Sequence, residues 1–164
     1  MPEFIPVISE QEIHDQIKII GNQITKDYAD KDLILVGVLK GSFIFLADLT
    51  RRISIDHDID LVGASSYEGT TSTGQIMFTK QPDLELENRD VLLVEDIVDT
   101  GRTLVKIIEF VKLLNPRSVK ICTLIDKHER REVQIDVDYS CFSLDKGFIV
   151  GYGLDYNERY RNLP

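Results

Sequence analysis

Apolar residues recur at Ile13, Ile17, Ile20 and Ile24 with polar residues between them, a helical spacing that predicts an amphipathic helix over Glu10 to Asp30. Ser9 is placed to cap its start. The pattern then changes. Leu33 to Leu39, LILVGVL, is apolar on both faces, which predicts a strand buried between two layers. Lys40-Gly41-Ser42 turns the chain, and Phe43 to Arg52 is helical again. Asp58 to Ala64 reads as a strand, whereas Ser65 to Thr79, SSYEGTTSTGQIMFT, is poor in core residues and rich in hydroxyls, as in a mobile loop or a loose hairpin. Val91 to Val94 is again apolar on both faces, the mark of a central strand. A helical pattern follows from Leu104 to Leu114, then an Asn115-Pro116 break and a strand from Ser118 to Ile125. Two further extended runs span Asp138 to Leu144 and Phe148 to Gly153. Strands alternating with helices of this length predict an α/β fold, a doubly wound central parallel sheet flanked by helices.

The chain has 164 residues, 43% of them apolar, which suits one domain over residues 1–164; no internal repeat, low-complexity tract or linker divides it. Met1 to Ser9 lacks the basic and apolar segments of a signal peptide, and the longest apolar runs are strand-sized, so the expected location is the cytoplasm. Cys122 and Cys141 lie in strand-like runs without Cys-x-x-Cys spacing and read as buried thiols. A formal charge of −9 argues against a nucleic-acid or anionic membrane surface. Any polyanionic ligand would have to be met by local cations, with Lys40, Arg102, Arg161 and a divalent metal as candidates.

The richest chemistry lies in Val91 to Leu104, VLLVEDIVDTGRTL. A buried strand delivers Glu95 and Asp96 to its C-terminal edge, where open α/β sheets bind ligands, and Asp99 follows three residues later. The Thr100-Gly101-Arg102-Thr103 turn opens a helix whose N-terminal amides can hold a phosphate. Glu95 and Asp96 repel each other unless a cation or hydrogen-bond donors hold them. Carboxylates beside a phosphate cradle suggest a metal and sugar hydroxyls. No Walker loop and no dinucleotide fingerprint is present.

Position by position, VLLVEDIVDTGRTL resembles the phosphoribosyl-pyrophosphate (PRPP) signature of the type I phosphoribosyltransferases. GVLKGS around Lys40-Gly41-Ser42 looks like the pyrophosphate loop of the hypoxanthine-guanine branch, and SSYEGTTSTG resembles its flexible lid. Lys127 stands at the branch's purine-reading lysine, and FIVGYGLDYNERYRNLP is similar to its C-terminal segment nearly residue for residue. The resemblance covers most of the chain. It implies a type I phosphoribosyltransferase fold with a lid loop at about residues 65–79 and a small hood formed by the C-terminal segment. It also implies Mg²⁺-dependent transfer of the phosphoribosyl group from PRPP to hypoxanthine or guanine, giving IMP or GMP and pyrophosphate.

The same resemblance assigns roles residue by residue. Glu95 and Asp96 match the acidic pair facing the ribose hydroxyls and metal, and Asp155 matches a carboxylate near a second metal and the purine. Asp99 matches the proposed base for the purine N7 proton; the alternative, which could coexist with it, is a cap for the next helix or a structural turn residue. Thr100, Gly101, Arg102 and Thr103 match the 5′-phosphate loop, with an exposed helix-start arginine the alternative for Arg102. Lys40, Gly41 and Arg161 match pyrophosphate contacts, and the branch carries a non-proline cis bond that would fall at Leu39-Lys40. Phe148 and Ile149 match the purine stacking segment, and Lys127 the donor to the oxygen at C6, which would favour 6-oxopurines over adenine. Without the resemblance, plain core packing is the alternative for Phe148, and Lys127 reads as part of a solvated charge run through Arg131. Ser65, Ser66 and Tyr67 match the lid, which would close over PRPP.

The chain departs from the branch in two places. Leu144-Asp145-Lys146-Gly147 stands where Pro-Asp and a variable residue are common before Phe148, leaving the order of preference among hypoxanthine, guanine and xanthine open. Glu68-Gly69 follows Tyr67 where a small residue directly after the tyrosine is usual. The competing class, RNA-binding attenuation proteins of the same fold, would need a basic face and lacks an acid at the position of Asp99. Members of the branch usually form homodimers or homotetramers.

Overall fold

A computed structural model describes residues 3–66 and 75–164. Helix α1 (Glu10–Asp27) precedes strand β1 (Leu33–Leu39), helix α2 (Phe43–Thr50) and strands β2 (Asp58–Ser66), β3 (Ile76–Lys80) and β4 (Asp90–Val98). Helix α3 (Arg102–Lys112) and strands β5 (Ser118–Lys127) and β6 (Tyr139–Leu144) follow. The described residues form one six-stranded sheet in the order β3-β2-β1-β4-β5-β6. All neighbours are parallel except β3, which pairs antiparallel with β2 at one edge.

Alternation along the central strands divides the interior into two cores. Leu33 and Leu35 of β1 join Leu92 and Val94 of β4 under α1 and α2, while Ile34, Val36 and Val38 join Val91 and Leu93 on the opposite face under α3. Both faces are thus covered, the condition that makes these strands apolar throughout. The crossovers part at the sheet's centre: β1 leads through α2 to β2 on one side, and β4 leads through α3 to β5 on the other. Between the C-terminal ends of β1 and β4 lies the switch point at which such sheets bind ligands.

Several boundaries differ from the sequence reading. Helix α1 stops at Asp27 because Tyr28 turns into the core, 1% exposed, and Lys31 N–H closes a turn on its carbonyl at 3.0 Å. Strand β4 runs on to Val98, so Glu95 and Asp96 are strand residues rather than loop residues. The Ser65–Thr79 stretch is hairpin at its ends, with Ser65 paired to Met77 and Ser66 to Ile76. Tyr67, Glu68 and Gly69 lie outside the described residues.

Phe148 to Gly153 is not a strand. Gly151, Tyr152 and Gly153 all have positive φ, at 99°, 48° and 101°, which folds the tail into turns instead of a ladder. Tyr152 N–H donates to the Leu163 carbonyl at 2.7 Å and Gly153 N–H to the Arg161 carbonyl at 2.9 Å, while the Tyr152 hydroxyl donates to Asp48 of α2. Cys122 and Cys141 are free and buried, as expected. Among the described residues, no helix is long and apolar enough to cross a membrane.

Candidate active site

The switch point is built as a stack. Gly41 follows β1 and lies so close to the Asp96 carboxylate that a Cβ would overlap it; a Cβ on Gly153 would likewise overlap the Gly41 carbonyl. The tail therefore rests on the Lys40-Gly41 turn, and that turn rests on the end of β4. The Leu39-Lys40 peptide is cis, where the resemblance puts it.

The two strand carboxylates hold themselves locally. Asp96 N–H donates to Glu95 Oε1 at 3.0 Å, and Ile97 N–H to Asp96 Oδ1 at 2.7 Å. Burial, and then the neighbouring Asp96 charge, push the Glu95 carboxyl well above the usual carboxylate range. A cation would reverse that shift, so the pair fits a divalent metal. Among the described residues no three acidic, His or Cys side chains converge on one metal-sized site. Asp155 stands apart from the pair: its Oδ1 lies 3.4 Å from Arg161, and its Oδ2 accepts from Glu158 N–H at 2.8 Å.

After β4 the chain makes the turn that starts α3. Gly101 is the N-cap, with φ of 83°, and no side chain caps the helix. Asp99 is therefore not a cap. Its Oδ2 is 3.4 Å from Arg130, while its Oδ1 is buried without a hydrogen-bond partner among the described residues. The uncapped amides and the positive end of α3 face the same loop, with Thr100 and Thr103 beside them. A glycine at this position, having no Cβ, would let a ligand approach the backbone closely. A Cβ there would instead meet Val133 and Ile135, each at 2.8 Å, so part of the demand for glycine comes from the chain's own loop. Arg102 is exposed and pairs with Glu132 of that loop.

Lys127 closes β5 and is only 6% exposed, which rules out the solvated charge run. Its ammonium is 3.9 Å from Glu129. Phe148 is 72% exposed and meets Tyr156 edge-on with ring centroids 5.7 Å apart, so it is not core packing but an open aromatic face. Ile149 packs half-buried against the α1 side of the sheet. Lys40 and Arg161 share one partner: the Glu158 carboxylate lies 2.9 Å from Lys40 Nζ and 3.4 Å from Arg161 Nη2. A cavity of about 670 Å³ lies between the N-terminal segment and the tail; Phe148 and Ile149 line it, but Glu95, Asp96, Asp99 and Lys127 do not. Volume alone would thus point away from the carboxylates.

Sequence reasoning missed Arg131 and the irregular strap behind it. The Glu132 and Val133 amides donate to the Thr100 carbonyl at 3.0 and 3.3 Å, docking residues 131–135 onto the loop after β4. The alternating Val133, Ile135 and Val137 were a legible signal for an extended segment with one covered face.

Comparison with known proteins agrees with this architecture. Residues 9–157 match the family model described as phosphoribosyl transferase domain. A hypoxanthine-guanine phosphoribosyltransferase of Streptococcus mutans is 52% identical, over 95% of this chain and 87% of the relative. A hypoxanthine phosphoribosyltransferase of Buchnera aphidicola is 48% identical, over 96% and 91%. The solved structure of a hypoxanthine-guanine phosphoribosyltransferase from Bacillus anthracis superposes with a TM-score of 0.93 at 40% identity, covering 99% of this chain and 96% of that one. With its type I fold, the chain belongs to the phosphoribosyltransferase family, in the hypoxanthine(-guanine) branch.

Proposed function

We propose that this enzyme transfers the 5-phosphoribosyl group of PRPP to hypoxanthine or guanine, forming IMP or GMP and pyrophosphate, with Mg²⁺ as cofactor. The observation that carries the reading is one loop. It combines an uncapped helix start, suited to a 5′-phosphate, with Asp99, whose buried Oδ1 has no partner among the described residues. The buried Lys127 is tied to the same loop through Arg131.

Displacement at the ribose anomeric carbon passes through a cationic state, so the chain must orient PRPP and make the purine nitrogen nucleophilic. Thr100 to Thr103 hold the 5′-phosphate, and Glu95 and Asp96 face the ribose hydroxyls. Asp99 takes the N7 proton as N9 attacks; a positioned base contributes about 10²–10⁴ in rate. Lys40, Gly41 and Arg161 hold the leaving pyrophosphate. Glu95 and Asp96 would hold one Mg²⁺ and Asp155 would lie near a second, and the metal would supply charge neutralisation. Phe148 and Ile149 flank the purine, and Lys127 donates to the oxygen at C6; the 6-amino group of adenine would leave that ammonium unpaired. A closed two-fold pair, or two such pairs, is the proposed assembly.

An absorbance assay with PRPP, Mg²⁺ and each of hypoxanthine, guanine, xanthine and adenine tests the reading. Turnover of hypoxanthine or guanine far more efficient than that of adenine is expected; no turnover of any oxopurine overturns it. Asp99→Asn should lower kcat by about 10²–10⁴ while leaving PRPP affinity in place, and an unchanged kcat removes Asp99 from the base role.

A further inference from the structure

We propose that Arg131 is a positioning residue that holds the purine-reading lysine and the catalytic aspartate in one frame; this rests on the function proposed above. Its guanidinium is largely buried, with 17% of the side chain exposed. Nε donates to the Asp99 carbonyl at 2.9 Å, and Nη2 reaches the Val98 carbonyl at 3.0 Å and the Lys127 carbonyl at 2.9 Å. The same Nη2 donates to the Asp126 carboxylate, which fixes the fork. Three carbonyls from two different strand ends thus converge on one side chain.

The carbonyls belong to the residues that need relative placement. Val98 and Asp126 are register partners in the β4–β5 ladder, and the two strands separate immediately after them. Beyond that point no ladder ties Asp99 to Lys127, and Arg131 spans the opening. Only a planar guanidinium offers donors in a rigid fork; a lysine in its place presents a single ammonium that cannot meet acceptors on both sides. The phosphate cradle has independent support, because the Thr100 carbonyl accepts from the Glu132 and Val133 amides. Loss of Arg131 should therefore loosen purine recognition and proton removal more than PRPP binding.

The test is steady-state kinetics of Arg131→Lys and Asp126→Asn, each with hypoxanthine and with adenine, alongside thermal unfolding. For Arg131→Lys the expected result is a KM for hypoxanthine raised about tenfold and a kcat lowered about tenfold, with the KM for PRPP within about threefold of the parent. The ratio of kcat/KM for hypoxanthine over adenine should fall, because an unanchored Lys127 discriminates less. Asp126→Asn should move the same quantities in the same direction by less. A purely structural arginine would lower the unfolding temperature and leave the ratio and the purine KM of the folded fraction unchanged; that result overturns the proposal. Absence of oxopurine turnover by the parent enzyme overturns the proposed function and takes this assignment with it, whereas an active parent with unaltered Arg131→Lys selectivity overturns this assignment alone.

Discussion

The two helix starts at Ser9 and Gly101 solve the same problem in opposite ways. Every α-helix begins with amides that have no partner inside the helix. At α1 the chain meets that demand itself: Glu12 N–H donates to Ser9 Oγ at 3.2 Å, and Ser9 N–H donates to Glu12 Oε2 at 2.7 Å, a closed capping box. At α3 the cap is a glycine without a side-chain acceptor, and the Arg102 amide makes only a long hydrogen bond to Thr100 Oγ1, at 3.4 Å. One start is finished for stability, the other left open toward the switch point of the sheet. A missing cap beside carboxylates and a buried lysine is what the proposed phosphate site requires.

The largest effect should come from closing the open start. Gly101→Val places a branched side chain at a φ of 83° and drives it into Val133 and Ile135, so the cradle must shift. We expect kcat/KM for PRPP to fall by about 10²-fold or more, since displacement of about 1 Å in a positioning group has that consequence. A normal kcat/KM in this variant would mean that the start of α3 does not hold the phosphate.

Removing the closed start should affect folding and spare chemistry. Ser9→Ala is expected to cost about 1 kcal/mol in urea unfolding, with kcat and KM of the folded enzyme unchanged. A matching loss of PRPP affinity would erase the distinction between the two ends.

The smallest effect is a pH dependence. The Ser9 amide, and then its hydroxyl, hold the exposed Glu12 carboxyl below the ordinary value of 4.5. The unfolded chain therefore binds this proton more tightly, so the box contributes above pH 4.5 and fades as pH falls below it. Glu12→Gln should make the urea midpoint fall less steeply between about pH 5 and pH 3, and an acid limb parallel to the parent's would remove Glu12 from the account.

The layered fold was legible because periodicity reports burial directly. Leu33 to Leu39 could only be a strand covered on both faces, and β1 spans those residues. The tail was misread as a strand for the converse reason. The apolar run Phe148-Ile149-Val150 leads into Gly151, Tyr152 and Gly153, and their left-handed backbone is set by contacts with Leu163 and Arg161 farther along the chain. Within the site, residue types at the end of β4 identified the carboxylates, but the pairing of Arg102 with Glu132 and the reach of Arg131 depend on a strap that folds back across the β4–α3 loop. Charged residues in such a strap look alike in sequence. Only tertiary contact separates the largely buried Arg131 from the exposed Arg130.

The Glu158 carboxylate between Lys40 and Arg161 recasts how a diphosphate would reach that end of the molecule. Both cations already have an anionic companion, so an arriving ligand trades places with a tethered carboxylate. Under the proposed function, binding there would be an exchange, and its affinity the difference between two ion pairings. A departing diphosphate would, in turn, leave behind two cations that Glu158 can reclaim without waiting for an ion from solution.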